Sequence, residues 1–221
     1  MNKHTQQQGF TLIEMLVVIA IIVLLTAILV PSVNGALQSA KSTKCKANLR
    51  QIGLGFTLYS MENGGKLPFQ QRDGSTTWHT EVAPYLEGYD NGDYYNLALQ
   101  DRRPPGVYAC PTSRNTVRPG NYADYGMNYL VNDHGQTQSF PQRMIEEIPS
   151  DVILLADSIN CSRRLSIYQS DAALDGRHRK GTVNVLFNGG SVGSGTIATL
   201  YTDVSGDRRT QAPWGWSSRR E

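Results

Sequence analysis

From Phe10 to Val30 the chain runs 21 residues with a single charged side chain, Glu14. At about 1.5 Å of rise per residue a helix over this run is about 32 Å long, matching a bilayer core of about 30 Å. A charge near the centre of such a helix costs about 2.5–3.5 kcal/mol on insertion scales, so a carboxylate there asks for a partner. A secretory signal peptide has a shorter apolar region, about 7–15 residues, followed by a small-residue cleavage site. Here the run is longer and leads into Pro31-Ser32-Val33-Asn34-Gly35-Ala36, in which Val33-Asn34-Gly35 is a poor cleavage site. A plain signal anchor accounts for the length. It accounts neither for Glu14 nor for Gln6-Gln7-Gln8-Gly9 abutting the run without a turn.

The residues Gly9-Phe10-Thr11-Leu12-Ile13-Glu14 resemble the processing motif of type IV prepilins and type II secretion pseudopilins. The resemblance covers roughly the first quarter of the chain. It implies that a prepilin peptidase cuts after Gly9 on the cytoplasmic side and N-methylates Phe10, the new N-terminus. Glu14 matches that family's conserved glutamate, and Pro31 its helix-kinking proline. The resemblance also gives Glu14 a physical role. In a fibre its carboxylate meets the N-terminal amine of a neighbouring subunit, turning an unpaired buried charge into a pair.

Orientation pits two rules against each other. On the N-terminal side stand Lys3 and His4; on the other, beyond ten intervening residues, stand Lys41, Lys44, Lys46 and Arg50. Counted alone, these basic residues put the globular part in the cytoplasm. The prepilin resemblance implies the reverse, with the inner membrane crossed once and the C-terminal part outside the cytoplasm. The distance of the basic residues from the span weakens the count.

Subtracting leader and span from 221 residues leaves enough chain for one domain with its own core. A formal charge of +2 makes no case for nucleic acid. The basic residues of 41–50 and of the tail (Arg208, Arg209, Arg219 and Arg220) read as a solvated helix face and a loose end. The three cysteines, Cys45, Cys110 and Cys161, lack metal-like spacing. An oxidising compartment allows one disulfide and one leftover thiol, and three pairings are open.

After Pro31 the helical pattern resumes. Cys45, Leu49, Ile52, Phe56 and Tyr59 recur at steps of four and three, one stripe of an amphipathic helix whose basic residues fall mostly elsewhere. Cys45 on that stripe is either a core thiol or half of a disulfide to a strand over the helix. Gly53 and Gly55 cost about 1 kcal/mol each in a helix relative to alanine, which points to close packing. Asn63-Gly64-Gly65 and Pro68 stop the helix. The organisation expected is a leader over 1–9, a span over 10–30, an amphipathic continuation over 31–62, a globular domain over 63–207 and a basic tail over 208–221.

Residues 66–105 are rich in turn formers, with a short helix expected over Trp78–Leu86. Strands are expected over Val107–Cys110, Tyr125–Val131, Val152–Ala156, Leu165–Tyr168, Thr182–Phe187 and Ser191–Ile197, with one helix over Gln142–Ile148. Short connections argue for an antiparallel sheet. Asn188-Gly189-Gly190 reads as a hairpin turn, with Asn-Gly supplying positive φ angles. The fold class is therefore α+β and pilin-like, a long N-terminal helix packed on an antiparallel sheet.

A second resemblance rests on Asn48-Leu49-Arg50-Gln51-Ile52-Gly53, Tyr108-Ala109-Cys110-Pro111, Tyr125-Gly126-Met127-Asn128 and Leu154-Leu155-Ala156-Asp157-Ser158. These are similar to a large prepilin-like family of planctomycete- and verrucomicrobia-type bacteria, whose members often carry His, nine residues, then Asp-Gly near the C-terminus. Here His178 is followed by Asn188-Gly189. The change removes a carboxylate and suggests that turn-making was the motif's task.

No G-x-S-x-G is present, and His79, His134 and His178 stand in unrelated loops, so no catalytic constellation is expected. The pseudopilin resemblance raises calcium as a ligand, for which Asp90, Asp93, Asp203 and Asp207 are the oxygen donors on offer, although such Asx-rich stretches are usually turns. The expectation is a structural subunit of a type II secretion pseudopilus or type IV pilus, not an enzyme. Its partners would be prepilin peptidase, other pilin subunits and an inner-membrane assembly platform. The alternatives are a monomeric membrane-anchored display protein and a DNA-uptake minor pilin.

Overall fold

The structure is a computed structural model that describes residues 11–69, 77–86, 106–113, 124–128, 142–158 and 174–201. The chain forms two compact units, Met1–Ser39 and Ala40–Glu221. Helix α1 spans Leu12–Glu62.

In the first unit α1 is apolar on every side. Its large hydrophobic side chains from Leu12 to Val30 are 46–91% exposed, and the segment is long and apolar enough to cross a membrane. The hydroxyl deep within the span is satisfied locally, Thr26 Oγ1 donating to the carbonyls of Ile22 and Val23 at 2.9 Å each. Pro31 lies inside the helix. It lacks an N–H, so the carbonyl four residues earlier has no backbone donor there.

In the second unit the stripe expected from the sequence is buried in full: Cys45, Leu49, Ile52, Phe56 and Tyr59 all face the core, joined by Asn48, Gly55 and Ser60. The two helix glycines permit close approach. A Cβ on Gly55 would lie 2.6 Å from Val82 Cγ1, and one on Gly53 would lie 3.1 Å from both Leu186 methyls. The helix ends where expected. Gly64 and Gly65 both take positive φ, and the Gly65 amide donates to the Ser60 carbonyl at 2.8 Å, closing a Schellman-type cap.

Four strands follow: β1 (Tyr125–Met127), β2 (Ile153–Asp157), β3 (Thr182–Phe187) and β4 (Val192–Thr196). They pair antiparallel in the order β1-β2-β3-β4. The β2–β3 register shifts between Ile153 and Leu155, so Leu154 is an extra, bulged residue. Tyr125, Met127, Leu155 and Leu186 pack with the α1 stripe, Trp78 and Tyr108 in the main core. Ile153, Ala156, Val183 and Val185 form a second cluster with Leu174, against which Leu200 of α3 (Ile197–Tyr201) packs. Both faces of β2 are buried, and its sequence accordingly reads as an apolar run from Ile153 to Ala156; β3 is buried from Val183 to Leu186 but keeps a polar residue, Asn184, inside.

Several elements differ from expectation. The expected Trp78–Leu86 helix is a one-turn α2 (Trp78–Val82) continued by a 3₁₀ turn over Ala83–Tyr85. Val107–Cys110 is no strand: Gly106–Tyr108 is a 3₁₀ turn, with Tyr108 buried and its hydroxyl donating to the His79 carbonyl at 2.9 Å. Its apolar alternation reflects burial against Trp78 rather than sheet pairing. Gln142–Ile148 contains only a 3₁₀ turn over Ile145–Glu147. The backbone before it pairs instead with the segment after α1, the Leu67 amide donating to the Arg143 carbonyl at 2.9 Å and the Ile145 amide to the Gly65 carbonyl at 2.8 Å. The strand expected to reach Ile197 stops at Thr196, where α3 begins. The expected strand over Leu165–Tyr168 and the 208–221 tail lie outside the described residues.

The hairpin between β3 and β4 is present, with different turn chemistry. Only Gly190 takes positive φ (79°), and neither Asn188 nor Gly189 does. The Gly190 amide donates to the Phe187 carbonyl and the Phe187 amide to the Ser191 carbonyl, both at 2.9 Å. This is a type I turn followed by a left-handed glycine, a three-residue loop.

Candidate functional site

Two places gather functional groups. At the start of α1, the Glu14 carboxylate accepts from the Thr11 amide (2.8 Å) and the Thr11 hydroxyl (2.7 Å), while the Glu14 amide donates back to Thr11 Oγ1 at 3.4 Å. Thr11 is the N-cap and Glu14 the third helical residue, so the pair is a capping box that satisfies orphan amides at the helix start. The signal was present in the sequence as Thr-x-x-Glu ahead of an apolar run, and reading Glu14 only as a charge in need of a neighbour missed it. Gly9 and Phe10 lie outside the described residues, as do Cys161, Asp90, Asp93, Asp203, Asp207 and His134.

The second place is a buried polar cluster beside the helix–sheet core. Cys45 on α1 and Cys110 form a disulfide, with Cα atoms 5.2 Å apart. Of the three open pairings, this is the one the fold makes, and Cys110 reaches it from the coil after the 3₁₀ turn rather than from a strand. Next to it stands His178, whose side chain is 1% exposed. A tight loop presents it. The His178 amide donates to the Thr182 carbonyl and the Gly181 amide to the His178 carbonyl, with Lys180 and Gly181 both in the left-handed region. A left-handed lysine costs about 1 kcal/mol or more, which the surrounding contacts must offset.

The His178 ring bridges three groups. Nε2 is 3.0 Å from Asp157 Oδ2 and 3.7 Å from Cys110 Sγ, and Nδ1 is 3.2 Å from Thr112 Oγ1. Asp157, fully buried at the end of β2, also takes the Asn184 amide of β3 on Oδ2 at 2.6 Å. Asp124 binds the Cys110 amide (2.8 Å), the Ser113 hydroxyl (2.6 Å) and the Arg177 guanidinium (3.5 Å). Arg177 also pairs with Asp175 at 2.8 Å and donates to the Ser158 carbonyl. Asn48 donates to the Ala109 carbonyl at 2.8 Å and to the Tyr125 hydroxyl at 3.3 Å. Burial, with the Asp157 and Asp124 carboxylates nearby, pushes the Tyr125 phenol well above its ordinary value. His178 therefore does not stand in an unrelated loop: it is the hub joining α1, the Cys110 segment, β2 and β3. His79 is buried in α2, its Nδ1 3.0 Å from Thr77 Oγ1.

Asn188, at the far end of β3, does more than turn the chain. Its Nδ2 donates to the carbonyls of Ile145 (3.0 Å) and Ile148 (2.6 Å), and its amide to the Val152 carbonyl (2.8 Å). An aspartate cannot donate to two carbonyls, so this chain uses its asparagine as a donor.

Comparison with known proteins points to the N-terminus. The family model described as the prokaryotic N-terminal methylation motif matches residues 4–30. The type II secretion system core protein G of Pseudomonas aeruginosa is 40% identical over 61 residues, 28% of this chain and 43% of that protein. A ComG operon protein 3 homolog of Bacillus licheniformis is 39% identical over 62 residues, 28% of this chain and 64% of its own length. The core protein G of Aeromonas hydrophila is 27% identical over 99 residues, 45% of this chain and 69% of that protein. The chain thus spans roughly half the length of the first two relatives. No solved structure matches it. With its long apolar helix and antiparallel sheet, the chain is a pilin/pseudopilin-like protein. Proteins of that kind are structural subunits rather than enzymes.

Proposed function

We propose that this protein is a subunit of a type II secretion pseudopilus or type IV pilus, with secretion favoured by the names of its relatives. Prepilin peptidase cleaves it after Gly9 and methylates Phe10. Residues from Phe10 to Val30 anchor it in the inner membrane with the sheet domain outside the cytoplasm, and the same helix then enters the fibre through an inner-membrane assembly platform. The observation that carries this reading is Glu14, the one charge between Phe10 and Val30, on a stretch of helix whose large apolar side chains from Leu12 to Val30 are exposed. That surface is unfavourable in water and is satisfied by lipid or by other such helices. A calcium ion at Asp90, Asp93, Asp203 or Asp207 belongs to the same proposal, and an unchanged melting curve in chelator would remove it.

The test is the mass of the mature protein together with one variant. A start at Phe10 carrying one added methyl supports processing, and a start near Ala36 returns the chain to a secreted soluble domain. A Glu14→Ala chain that is cleaved but fails to assemble supports the subunit reading. A cleaved chain that forms no fibre, and whose secretion phenotype Glu14→Ala leaves unchanged, would be a monomeric display protein. Salt-sensitive DNA binding by the intact chain would favour a DNA-uptake pilin instead.

A further inference from the structure

We propose that Cys45, Cys110, His178 and Asp157 form a zinc-binding site in the thiol state of this protein, of which the Cys45–Cys110 disulfide is the oxidised counterpart. The sulfurs of Cys45 and Cys110 and a ring nitrogen of His178 all lie within 4.8 Å of one another, and all three residues are buried. In a tetrahedral zinc site with Zn–S of about 2.3 Å and Zn–N or Zn–O of about 2.0–2.1 Å, neighbouring ligand atoms stand about 3.3–3.8 Å apart. Cys110 Sγ to His178 Nε2 is 3.7 Å, and His178 Nε2 to Asp157 Oδ2 is 3.0 Å. Two of the required edges are therefore nearly in place. The sulfurs have to part from bonding distance to about 3.8 Å, a small displacement for two side chains once the bond is open.

The charges and the orphaned atoms point the same way. Asp157 is fully buried, and its Oδ1 has no hydrogen-bond partner, while Oδ2 is shared between His178 and the Asn184 amide. Asp124, Asp157 and Asp175 lie in this cluster with Arg177. A divalent cation supplies positive charge at its least compensated carboxylate. Two thiolates, an imidazole and a carboxylate suit zinc rather than calcium or magnesium. Thr112 completes the arrangement. With the ring proton on Nδ1 directed at Thr112 Oγ1, 3.2 Å away, Nε2 presents its lone pair to the metal.

The chemistry balances in two steps. A dithiol reductant delivers two electrons and two protons to the Cys45–Cys110 bond, giving two thiols and the reductant's own disulfide. Zinc then displaces both thiol protons to solvent, with no change in its oxidation state. The metal ties together the same elements as the disulfide and adds β2 and the His178 loop, so each state holds the domain closed by a different linkage.

The full chain in detergent micelles, reduced with a phosphine that is itself oxidised to the phosphine oxide, is titrated with cobalt(II) and then zinc(II). The expected result is one cobalt per chain with tetrahedral d–d bands and a sulfur-to-metal charge-transfer band, lost when zinc is added and absent from the oxidised chain. Zinc should also raise the melting temperature of the reduced chain and leave that of the oxidised chain unchanged. His178→Gln and Asp157→Asn should weaken cobalt binding at least about tenfold, and Thr112→Val, which disturbs the core least, about tenfold. No charge-transfer band from the reduced chain, or no rise in its melting temperature with zinc, would overturn the proposal. So would a cobalt spectrum that all three variants leave unchanged, since the metal would then sit on the thiols of an opened chain.

Discussion

Glu14 accepts both the amide and the hydroxyl hydrogen of Thr11, so the carboxylate that the assembly reading needs already serves the first turn of its own helix. The cap and the charge are separable by mutation. Glu14→Gln keeps an acceptor oxygen for Thr11 but loses the negative charge; Glu14→Ala loses both.

A cap of this kind contributes about 1 kcal/mol, so Glu14→Ala should lower amide-exchange protection at the start of α1 about fivefold. Glu14→Gln should leave that protection nearly intact and yet block assembly as fully as Glu14→Ala. Exchange measured by mass spectrometry, set beside a fibre or secretion assay, separates the roles. Normal assembly by Glu14→Gln would mean that the cap, not the charge, is what the fibre requires.

Removing the disulfide by Cys45→Ala with Cys110→Ala, in the absence of added metal, should cost about 4 kcal/mol. The bridge closes a loop with a sequence separation of 65 residues, and loop-closure entropy gives that magnitude. Urea unfolding of the full chain, oxidised against double variant, measures it. A loss below about 1 kcal/mol would show that the buried contacts around the bridge hold the loop without it.

Asn188→Asp should destabilise the domain by about 2–4 kcal/mol. It deletes two donations to the Ile145 and Ile148 carbonyls and sets a carboxylate against the same oxygens. Thermal melting reads the loss, and it should shrink at acid pH, where a protonated carboxyl regains one donor. A neutral substitution would mean that Asn188 is kept for its turn geometry alone.

Alkaline stability should depend on Tyr125. Burial raises its folded-state pKa, so above about pH 10, where the unfolded phenol ionises, the folded chain still holds the proton. Its contribution is complete below about pH 10 and is lost at up to about 1.4 kcal/mol per pH unit above it. Tyr125→Phe should flatten that fall, at a cost near neutrality of about 1 kcal/mol for the Asn48 hydrogen bond. Unfolding curves at pH 8 and pH 11 decide it; equal slopes in both proteins would show that another group controls the alkaline limit.

What could be read along the chain was what repeats over short distances. An apolar run, a stripe at steps of three and four, and a glycine stop each act within a turn or two of backbone. Those signals placed α1, its buried face from Cys45 to Tyr59, the end at Gly64-Gly65 and the β3–β4 hairpin. They failed where a segment's apolar residues answer to a distant neighbour, as Val107 and Tyr108 do beneath Trp78: burial there mimics a strand without a ladder to pair with. The same limit hid the cluster, because His178 meets Thr112 across a separation of 66 residues and Asn188 meets Ile145 across 43.

The sequence by itself therefore determined the membrane-length helix, the prepilin-type motif at its start and the α+β order of elements, since hydrophobic period and local capping are properties of neighbours. Only the tertiary structure decided that Cys45 pairs with Cys110, that His178 and Asp157 meet beside that bridge, and that Asn188 is a donor. Those outcomes depend on which remote segments the packed core brings within hydrogen-bonding distance, and no local pattern encodes that distance.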